Sequence, residues 1–328
     1  MSLQNSIGMK LRALALGCAV TMTAAAMPGA ANAADYPSER LDWTIAFGPG
    51  GGNDIMARTI ISILEKYKLY PSDIVAQNRS GGSGAVGWGY LFNQKGNPYN
   101  ISTTSGSFIT TPLKADTPWG PTKFTPVALL AADDLLIVVN GDSPTKSFDQ
   151  FVSEAKTKAP AVGGIGAVNV DFIVAELLAE KAGYEYEYVS FNKQGELTTA
   201  LLSGALDAML VNPGEVAGLL ASGDMRALAF TGANIPESLE GIPTLAEKGF
   251  DVGISAPRGV VLAPDVSKEV QDWWIATMKK VVDTPEWAEY VKKHDLTPTV
   301  LWGDEFTSFL SNAQDQFGRI LKAKGIIK

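Results

Sequence analysis

Short apolar segments alternate with amphipathic segments along most of this chain, and this alternation limits the folds available to it. The apolar segments are rich in β-branched and aromatic residues, whereas the segments between them repeat apolar residues at helical spacing. The predicted strands are 41–47, 74–77, 101–104, 135–139, 161–165, 186–191, 208–211, 227–230 and 259–262. This pattern predicts an α/β fold with mixed, mostly parallel sheets flanked by helices.

Capping signals support the helices in this prediction. Ser147 and Gln150 occupy the two ends of a capping box, in which side chains satisfy free backbone donors of the first turn. Gly183 follows another helical pattern and is typical of a C-terminal cap. Pro285 and Asp304 predict the starts of two later helices. The helices therefore have definite ends between the strands.

The N-terminus has the features of a secretory signal peptide. Lys10 and Arg12 are followed by an uncharged stretch that ends in Ala31-Asn32-Ala33, an A-x-A cleavage site. We expect residues 1–33 to be a signal peptide that is removed on export, which predicts a periplasmic mature protein.

The inventory of reactive side chains is small. Cys18, the single cysteine, lies inside the predicted leader, so the mature chain has no thiolate nucleophile, disulfide or cysteine metal ligand. His294, the single histidine, lies in a charged segment typical of an exposed helix end. A catalytic triad or a histidine-based metal site would need partners that the sequence does not identify. The inventory favours a binding protein over an enzyme.

The mature chain is acidic. The full chain has 27 basic and 35 acidic residues, and loss of Lys10 and Arg12 with the leader leaves a net charge of −10. An acidic surface argues against nucleic-acid binding. An anionic ligand would therefore need local, convergent hydrogen-bond donors instead of a favourable global field.

The length beyond the leader suits two domains of about 100 to 200 residues each. No low-complexity linker separates them, so we expect the boundaries at extended crossovers near 139–143 and 255–259. The predicted first lobe comprises residues 34–139 plus 256–328, and the second comprises residues 140–255.

Residues 47–54 join a predicted strand to a predicted helix through three consecutive glycines at 50–52. Glycine lets the backbone turn tightly and approach a ligand closely, and a helix N-terminus supplies free N–H donors. Two interpretations stay open at this point. The segment is either an anion-binding turn or a plain turn capped by Asn53 or Asp54.

A second glycine-rich turn, at residues 82–87, matches the spacing of a dinucleotide-binding motif. Such a motif needs an acidic residue about 20 positions later to bind the ribose, but residues 105–107 are Ser-Gly-Ser. We interpret this segment as another strand-to-helix turn.

Small and polar residues recur where the predicted strands end. Ligands of α/β proteins bind outside the carboxyl ends of the strands, so these loops are expected to converge on a cleft between the lobes. The loops are 50–54, 80–84, 103–108, 163–169, 191–195 and 212–214. Their backbone N–H groups, hydroxyls and amides predict a site that clamps a small anion.

Arg258 lies at the predicted return to the first lobe. Its guanidinium either binds a ligand carboxylate in a bidentate manner or forms a salt bridge at the crossover. Both interpretations stay open.

Several segments resemble, in the same order, the extracytoplasmic receptors of tripartite tricarboxylate transporters, also called the Bug family. The run Pro49-Gly50-Gly51-Gly52-Asn53-Asp54-Ile55-Met56-Ala57-Arg58 is similar to the family pattern P-G-G-x-x-D-x-x-A-R. The other segments are 77–84, 124–128, 201–209, 226–229 and 242–249. Together they cover essentially the whole chain beyond the leader.

The resemblance implies a two-lobed Venus-flytrap receptor that captures a small carboxylate between its lobes and delivers it to a membrane permease. It implies no enzymatic activity and no cofactor or metal ion, and we expect a monomer that binds no nucleic acid. The ligand-binding residues that follow by position are Gly50, Gly51, Gly52, Asn53, Asp54, Ser105, Gly106, Ser107, Gly166, Ala167, Asn169, Asn192, Lys193 and Asn212.

Arg258 completes the predicted site. The sequence around Arg258 and at 272–274 resembles the citrate-type receptors, whereas many family members have an aromatic residue where this chain has Arg258. This difference favours a di- or tricarboxylate ligand. Two other functions stay open: a secreted enzyme acting on a carboxylate ester or glycan, and a periplasmic sensor that signals to a partner.

Overall fold

The computed structural model describes residues 36–165, 169–191, 194–250, 252 and 254–327. The predicted signal peptide lies outside these ranges. Within them, ten α-helices flank two mixed sheets, which confirms the predicted fold class. None of the helices in the described part of the chain combines the length and apolar character needed to cross a membrane.

The first sheet has six strands in the order β11-β4-β10-β3-β1-β2. These are β1 Leu41–Ile45, β2 Ile74–Asn78, β3 Asn100–Thr103, β4 Thr125–Asp133, β10 Ala256–Leu262 and β11 Leu301–Trp302. β1 pairs in parallel with β2 and β3, whereas β10 runs antiparallel to both β3 and β4. The carboxyl ends of β1, β2 and β3 therefore share one edge of the sheet with the start of β10.

The second sheet has five strands in the order β7-β6-β8-β5-β9. These are β5 Leu136–Asn140, β6 Ala161–Ile165, β7 Glu187–Phe191, β8 Ala208–Val211 and β9 Met225–Phe230. β6 pairs in parallel with β7 and β8, and β5 runs antiparallel to β8 and β9. The carboxyl ends of the three parallel strands again share one edge.

The helices connect these strands and cover the sheets. They are α1 Gly52–Lys66, α2 Ala85–Phe92, α3 Gly106–Lys114, α4 Phe148–Ala155, α5 Val170–Ala182, α6 Gln194–Leu202, α7 Pro213–Ser222, α8 Lys268–Val282, α9 Pro285–Lys293 and α10 Asp304–Ala323. The predicted helix boundaries are confirmed at four of them. Ser147 accepts a hydrogen bond from the Gln150 N–H at α4, and Gly183 ends α5 with a φ of 71°. Pro285 and Asp304 are the first residues of α9 and α10.

Parallel pairing is less common than predicted. Four of the nine strand pairings in the described ranges are parallel and five are antiparallel. The strands that carry the chain between the sheets explain the difference, because β5 enters the second sheet antiparallel to its neighbours and β10 returns to the first sheet in the same way. β4 was not among the predicted strands; Pro126, which cannot donate a backbone hydrogen bond, interrupts its strand signal near the start.

The chain leaves the first sheet at Asp133 and enters the second at Leu136. The predicted lobe boundary at residue 139 therefore cuts through β5, which belongs entirely to the second sheet. This strand membership supports a boundary at residue 134, and the return at residue 256 coincides with the start of β10. The lobe assignment itself stays a prediction.

Aromatic packing fixes the site edge of the first sheet. Trp88 is fully buried, and its ring lies 5.0 Å from that of Phe108 and 5.6 Å from that of Phe47. Its indole Nε1 donates a hydrogen bond of 3.1 Å to the carbonyl of Thr103, the last residue of β3. The ends of β1 and β3 are thus held by the same buried side chain.

Gly87 allows α2 to pack against the end of β1. A β-carbon at this position would lie 2.6 Å from the Cα atom of Ala46 and 3.0 Å from the carbonyl oxygen of Arg79. Both are backbone atoms, so relief would require a shift of whole elements. Gly89, in the same helix, has no comparable neighbour: its nearest atom, on Trp119, would be 3.7 Å away.

We predict that Gly87→Ala lowers the free energy of unfolding by about 1–3 kcal/mol because it overpacks the α2–β1 contact. The matched change Gly89→Ala should leave stability unchanged or raise it by up to about 1 kcal/mol, as expected for alanine in a helix. Urea denaturation of both variants tests this. Equal stabilities would contradict the packing argument.

Candidate functional site

Four of the helices begin just after parallel strands end. In the first sheet, α1 begins after β1 and α3 begins after β3. In the second, α5 begins after β6 and α7 begins after β8. A helix N-terminus leaves its first N–H groups without intrahelical acceptors and carries about half a positive charge. The arrangement gathers several such N-termini around one region.

The glycine turn at 50–52 leads directly into α1. Gly50 adopts a φ of 82°, a left-handed conformation that favours glycine, and Gly51 is the N-cap without a capping side chain. Within the described ranges, no protein acceptor is found for the amide N–H groups of Gly51, Gly52, Asn53 and Asp54. We call these four groups the open donors of α1.

Asp54 braces this turn from inside. Its carboxylate accepts hydrogen bonds from the Gly50 N–H, from the Asn78 amide and from the Arg58 guanidinium, each at 2.9 Å. Burial of the side chain would raise the pKa of Asp54, but these hydrogen bonds and the Arg58 charge outweigh it and hold the pKa below its usual value. Asn78, which also donates to the Phe47 carbonyl, was not among the predicted site residues.

Asn53 is also engaged by the protein. Its amide nitrogen donates to the Thr104 carbonyl at 3.1 Å, and its amide oxygen accepts from the Thr103 hydroxyl at 3.0 Å. The two side chains predicted to contact ligand in this turn, Asn53 and Asp54, are both buried and satisfied internally. The groups of these two residues that stay free for a ligand are their backbone N–H donors.

The Ser105 hydroxyl has no partner within the described ranges, although it is buried. Ser105 is the N-cap of α3, a position where serine usually caps the helix, but its side chain makes no capping hydrogen bond. The next residue, Gly106, approaches the second lobe closely: a β-carbon there would lie 3.1 Å from the Val170 Cγ2 atom. Ser107 follows in the first turn of α3.

Arg258 lies against the glycine turn. A β-carbon on Gly52 would be 2.6 and 2.7 Å from its two terminal nitrogens, so the guanidinium lies over the start of α1. It also forms an ion pair with Asp133, with 2.5 Å between Nη2 and Oδ2. Its Nε atom is buried and has no partner among the residues that the structure describes. The salt-bridge interpretation of Arg258 is therefore observed, whereas its binding of a ligand carboxylate stays a prediction.

The second lobe contributes two described residues of the predicted site. Asn169 is the N-cap of α5, and its side chain accepts a hydrogen bond from the Val170 N–H at 2.8 Å. Asn212 precedes α7 and donates to the Asp134 carbonyl at 3.3 Å. Gly166, Ala167, Asn192 and Lys193 lie outside the described residues. The described strands that precede them in sequence, β6 and β7, end at the same edge of the second sheet.

Acidic side chains accompany these donors. Asp171, in the first turn of α5, accepts a hydrogen bond from the Ile165 N–H at 2.7 Å, and burial raises its pKa to about 6. Burial also raises the pKa of Glu215, at the start of α7, and the charges of Asp171 and Asp133 add to this effect. The second lobe therefore presents negative charge beside the helix N-termini.

The remaining candidates lie elsewhere. His294 ends α9, and its ring centroid is 4.9 Å from that of Tyr290. Burial lowers the pKa of His294, and the charges of Lys293 and Arg258 lower it further. The turn at 82–87 forms a short 3-10 segment, Gly82–Gly84, and then opens α2. Among the described residues, no cluster of three or more metal-binding side chains is found.

We predict that Asp54→Asn lowers the free energy of unfolding by about 1–3 kcal/mol at neutral pH, because three donors converge on the carboxylate and an amide supplies only one acceptor atom. The folded-state pKa is lowered, so the stabilisation is complete above the unfolded pKa of about 3.9 and is lost as pH falls through the folded pKa. The difference from the unmodified protein should therefore shrink below about pH 4.

Denaturation at several pH values measures this difference. The matched control is Asp116→Asn, which removes an exposed carboxylate at the far end of α3 and should give a small difference at every pH. A difference for Asp54→Asn that stays constant from pH 7 to pH 3 would contradict the role of its charge.

Known proteins share this architecture. A TctC solute-binding protein from Polaromonas superimposes with a TM-score of 0.81 at 24% identity, over 88% of this chain and 99% of that one. An adipate-bound protein of R. palustris gives a TM-score of 0.67 at 21% identity, over 89% and 99% of the two chains. MatC from Rhodopseudomonas palustris with bound malate gives a TM-score of 0.64 at 18% identity, over 87% of this chain and 100% of that one. At these identities the likeness shows the fold.

Sequence comparison extends this likeness to the family. BugT of Bordetella pertussis is 22% identical over 299 residues, which cover 88% of this chain and 90% of that protein. The family model described as "Tripartite tricarboxylate transporter family receptor" matches residues 57–326. Since that match spans far more than half of the chain, this protein belongs to the tripartite tricarboxylate transporter receptor family, whose members are solute-binding receptors and not enzymes.

Proposed function

We propose that this protein is a periplasmic receptor that captures a small di- or tricarboxylate between its two lobes and delivers it to the permease of a tripartite tricarboxylate transporter. Family membership supports the receptor role. The ligand class, the cleft and the permease are part of the proposal.

One observation carries the proposal: hydrogen-bond donors without acceptors converge where the lobes meet. They are the open donors of α1, the buried Ser105 hydroxyl and the Arg258 Nε group. The Ser105 hydroxyl and the Arg258 Nε are buried, and a buried donor left unpaired costs about 1–3 kcal/mol, so these two groups call for a partner. A carboxylate has two oxygens that accept several hydrogen bonds and suit positive helix N-termini.

The proposed binding mode uses backbone more than side chains. One ligand carboxylate lies at the start of α1, between the open donors and the Arg258 guanidinium, within reach of Ser105 and α3. The N-termini of α5 and α7, with Asn169 and Asn212, close on it from the second lobe. Gly166, Ala167, Asn192 and Lys193 stay predicted contacts of the same edge.

The solved relatives support the ligand class, since one binds malate and another adipate, which are both dicarboxylates. We further propose that residues 1–33 are a cleaved signal peptide and that the mature receptor is a monomer with lobes 34–133 plus 256–328 and 134–255. Closure of such lobes around a ligand is a hinge motion on a microsecond to millisecond scale.

Isothermal titration of the mature protein with citrate, tricarballylate, malate, succinate and adipate tests the ligand class. We expect at least one to bind with one-to-one stoichiometry and to raise the melting temperature, because a ligand that binds only the folded state stabilises it. Acetamide and a neutral ester of the best ligand serve as controls that lack the charge. If no carboxylate binds or shifts the melting temperature, the proposal is wrong.

Gly52→Ala tests the binding mode. The new methyl group would displace the Arg258 guanidinium from the start of α1 and enter the proposed carboxylate position. We expect affinity for the best ligand to fall by about tenfold or more, which corresponds to 1.4 kcal/mol, while the melting temperature of the free protein changes little because the displaced group is the end of a flexible side chain.

Gly51→Ala is the matched control for this variant. A β-carbon at Gly51 would lie 3.7 Å from the nearest protein atom, the Gly48 carbonyl oxygen, which is an ordinary contact. Its φ of −79° suits alanine. An equal loss of affinity in both variants would show that the position of Arg258 over the turn is not what binding depends on.

A further inference from the structure

Asp133 and Arg258 meet because of the register between β4 and β10. Asp133 lies opposite Ala256 and Ala131 lies opposite Arg258 in this antiparallel pair. Residues two apart on a strand point to the same face, so Asp133 and Arg258 are diagonal neighbours across the two strands. Their side chains are only 19% and 15% exposed, and the ion pair is short at 2.5 Å. Asp133 was not among the predicted site residues.

This pair uses only part of the guanidinium. Arginine has five N–H donors in a planar fork. One terminal nitrogen pairs with Asp133, Nε has no partner within the described ranges, and the group as a whole lies over Gly52. Asp133 thus holds one terminal nitrogen of the guanidinium, and both terminal nitrogens lie over the start of α1.

The charges around Arg258 limit what it can attract. The Asp133 carboxylate balances its charge, and Glu215 and Asp171 lie close enough in the second lobe for their charges to influence one another. No cationic partner is found for Glu215 or Asp171 in the described part of the chain. One carboxylate can still bind at the helix N-termini, where the donors are backbone groups. A second one beside Arg258 would meet the negative charge of Asp133 at short range.

We propose that Asp133 is a specificity-determining residue, which weakens the binding of a second ligand carboxylate by occupying a part of Arg258 that this carboxylate would otherwise bind. The inference rests on the proposed function, since it concerns the ligand of the same site. Asp133 acts as a built-in competitor. Its removal frees the guanidinium and gives the site an extra positive charge.

The experiment compares ligands that differ in one carboxylate. Dissociation constants for succinate and butyrate, and for adipate and hexanoate, are measured by titration calorimetry for the unmodified protein and for Asp133→Asn. The two ligands of each pair have the same number of carbon atoms. The ratio of their dissociation constants therefore measures the effect of the second carboxylate on affinity. We expect Asp133→Asn to shift the ratio toward the dicarboxylate by about tenfold, within the range of close charge pairs at interfaces.

Asp116→Asn is the matched control for charge. It makes the same change in net charge on an exposed residue beyond the C-terminal end of α3. We expect it to leave the ratio within twofold of the unmodified value. A shift equal to that of Asp133→Asn would mean that total charge, and not the Arg258 partner, sets the preference, which overturns the inference.

Folding is checked by circular dichroism and melting temperature, and Asp133→Ser serves as a second neutral variant if Asp133→Asn does not fold. An unchanged ratio in a folded variant overturns the inference, as does a shift toward the monocarboxylate, which would make Asp133 an orienting partner of Arg258. Loss of folding in both variants would assign the ion pair a structural role and also overturns it. If the unmodified protein binds none of the carboxylates, the proposed function itself fails, which is a distinguishable result.

Discussion

The hydrogen bonds to the Asp54 carboxylate hold together the part of the molecule on which the proposed site depends. They tie the glycine turn to α1 through Arg58 and to β2 through Asn78. A turn with a glycine at positive φ has many accessible conformations when it is free. The internal carboxylate selects one of them, and in that conformation four backbone N–H groups stay available at the start of α1. A negative side chain inside the turn thus prepares donors for a negative ligand outside it.

Most of the strands were predictable because their local signals agree with their tertiary environment. The nine predicted segments correspond to strands β1–β3 and β5–β10, and the caps at Ser147 and Gly183 act as expected. β4 and the exact crossover were not predictable. The extended chain from Thr125 to Asn140 has only Asp133 and Asp134 as polar interruptions, and nothing local tells which sheet each half will join. That choice depends on pairing with β10 and β8, which are distant in sequence.

The candidate site was also predictable only in part. The glycine turn, the Ser105 loop and Arg258 were predictable from residue type and position at strand ends. The direction of each side chain was not, since Asn53 and Asp54 turn inward to partners on β2 and around the end of β3. The ion pair of Asp133 with Arg258 follows from a strand register that one sequence does not reveal. A run of two aspartates at a strand end, Asp133 and Asp134, was the one local signal that pointed to it.

The close approach of Gly106 to Val170 has a consequence for how the lobes move. These residues belong to the first turns of α3 and α5, so two helix N-termini lie next to each other, and a β-carbon on Gly106 would be 3.1 Å from the Val170 Cγ2 atom, closer than an ordinary van der Waals contact. Each carries about half a positive charge, and α1 adds a third nearby. Bringing the lobes together brings these positive helix ends, and the Asp171 carboxylate in the first turn of α5, close to one another. In the proposed binding mode, a bound carboxylate lies among these positive helix ends and therefore favours closure of the lobes around it.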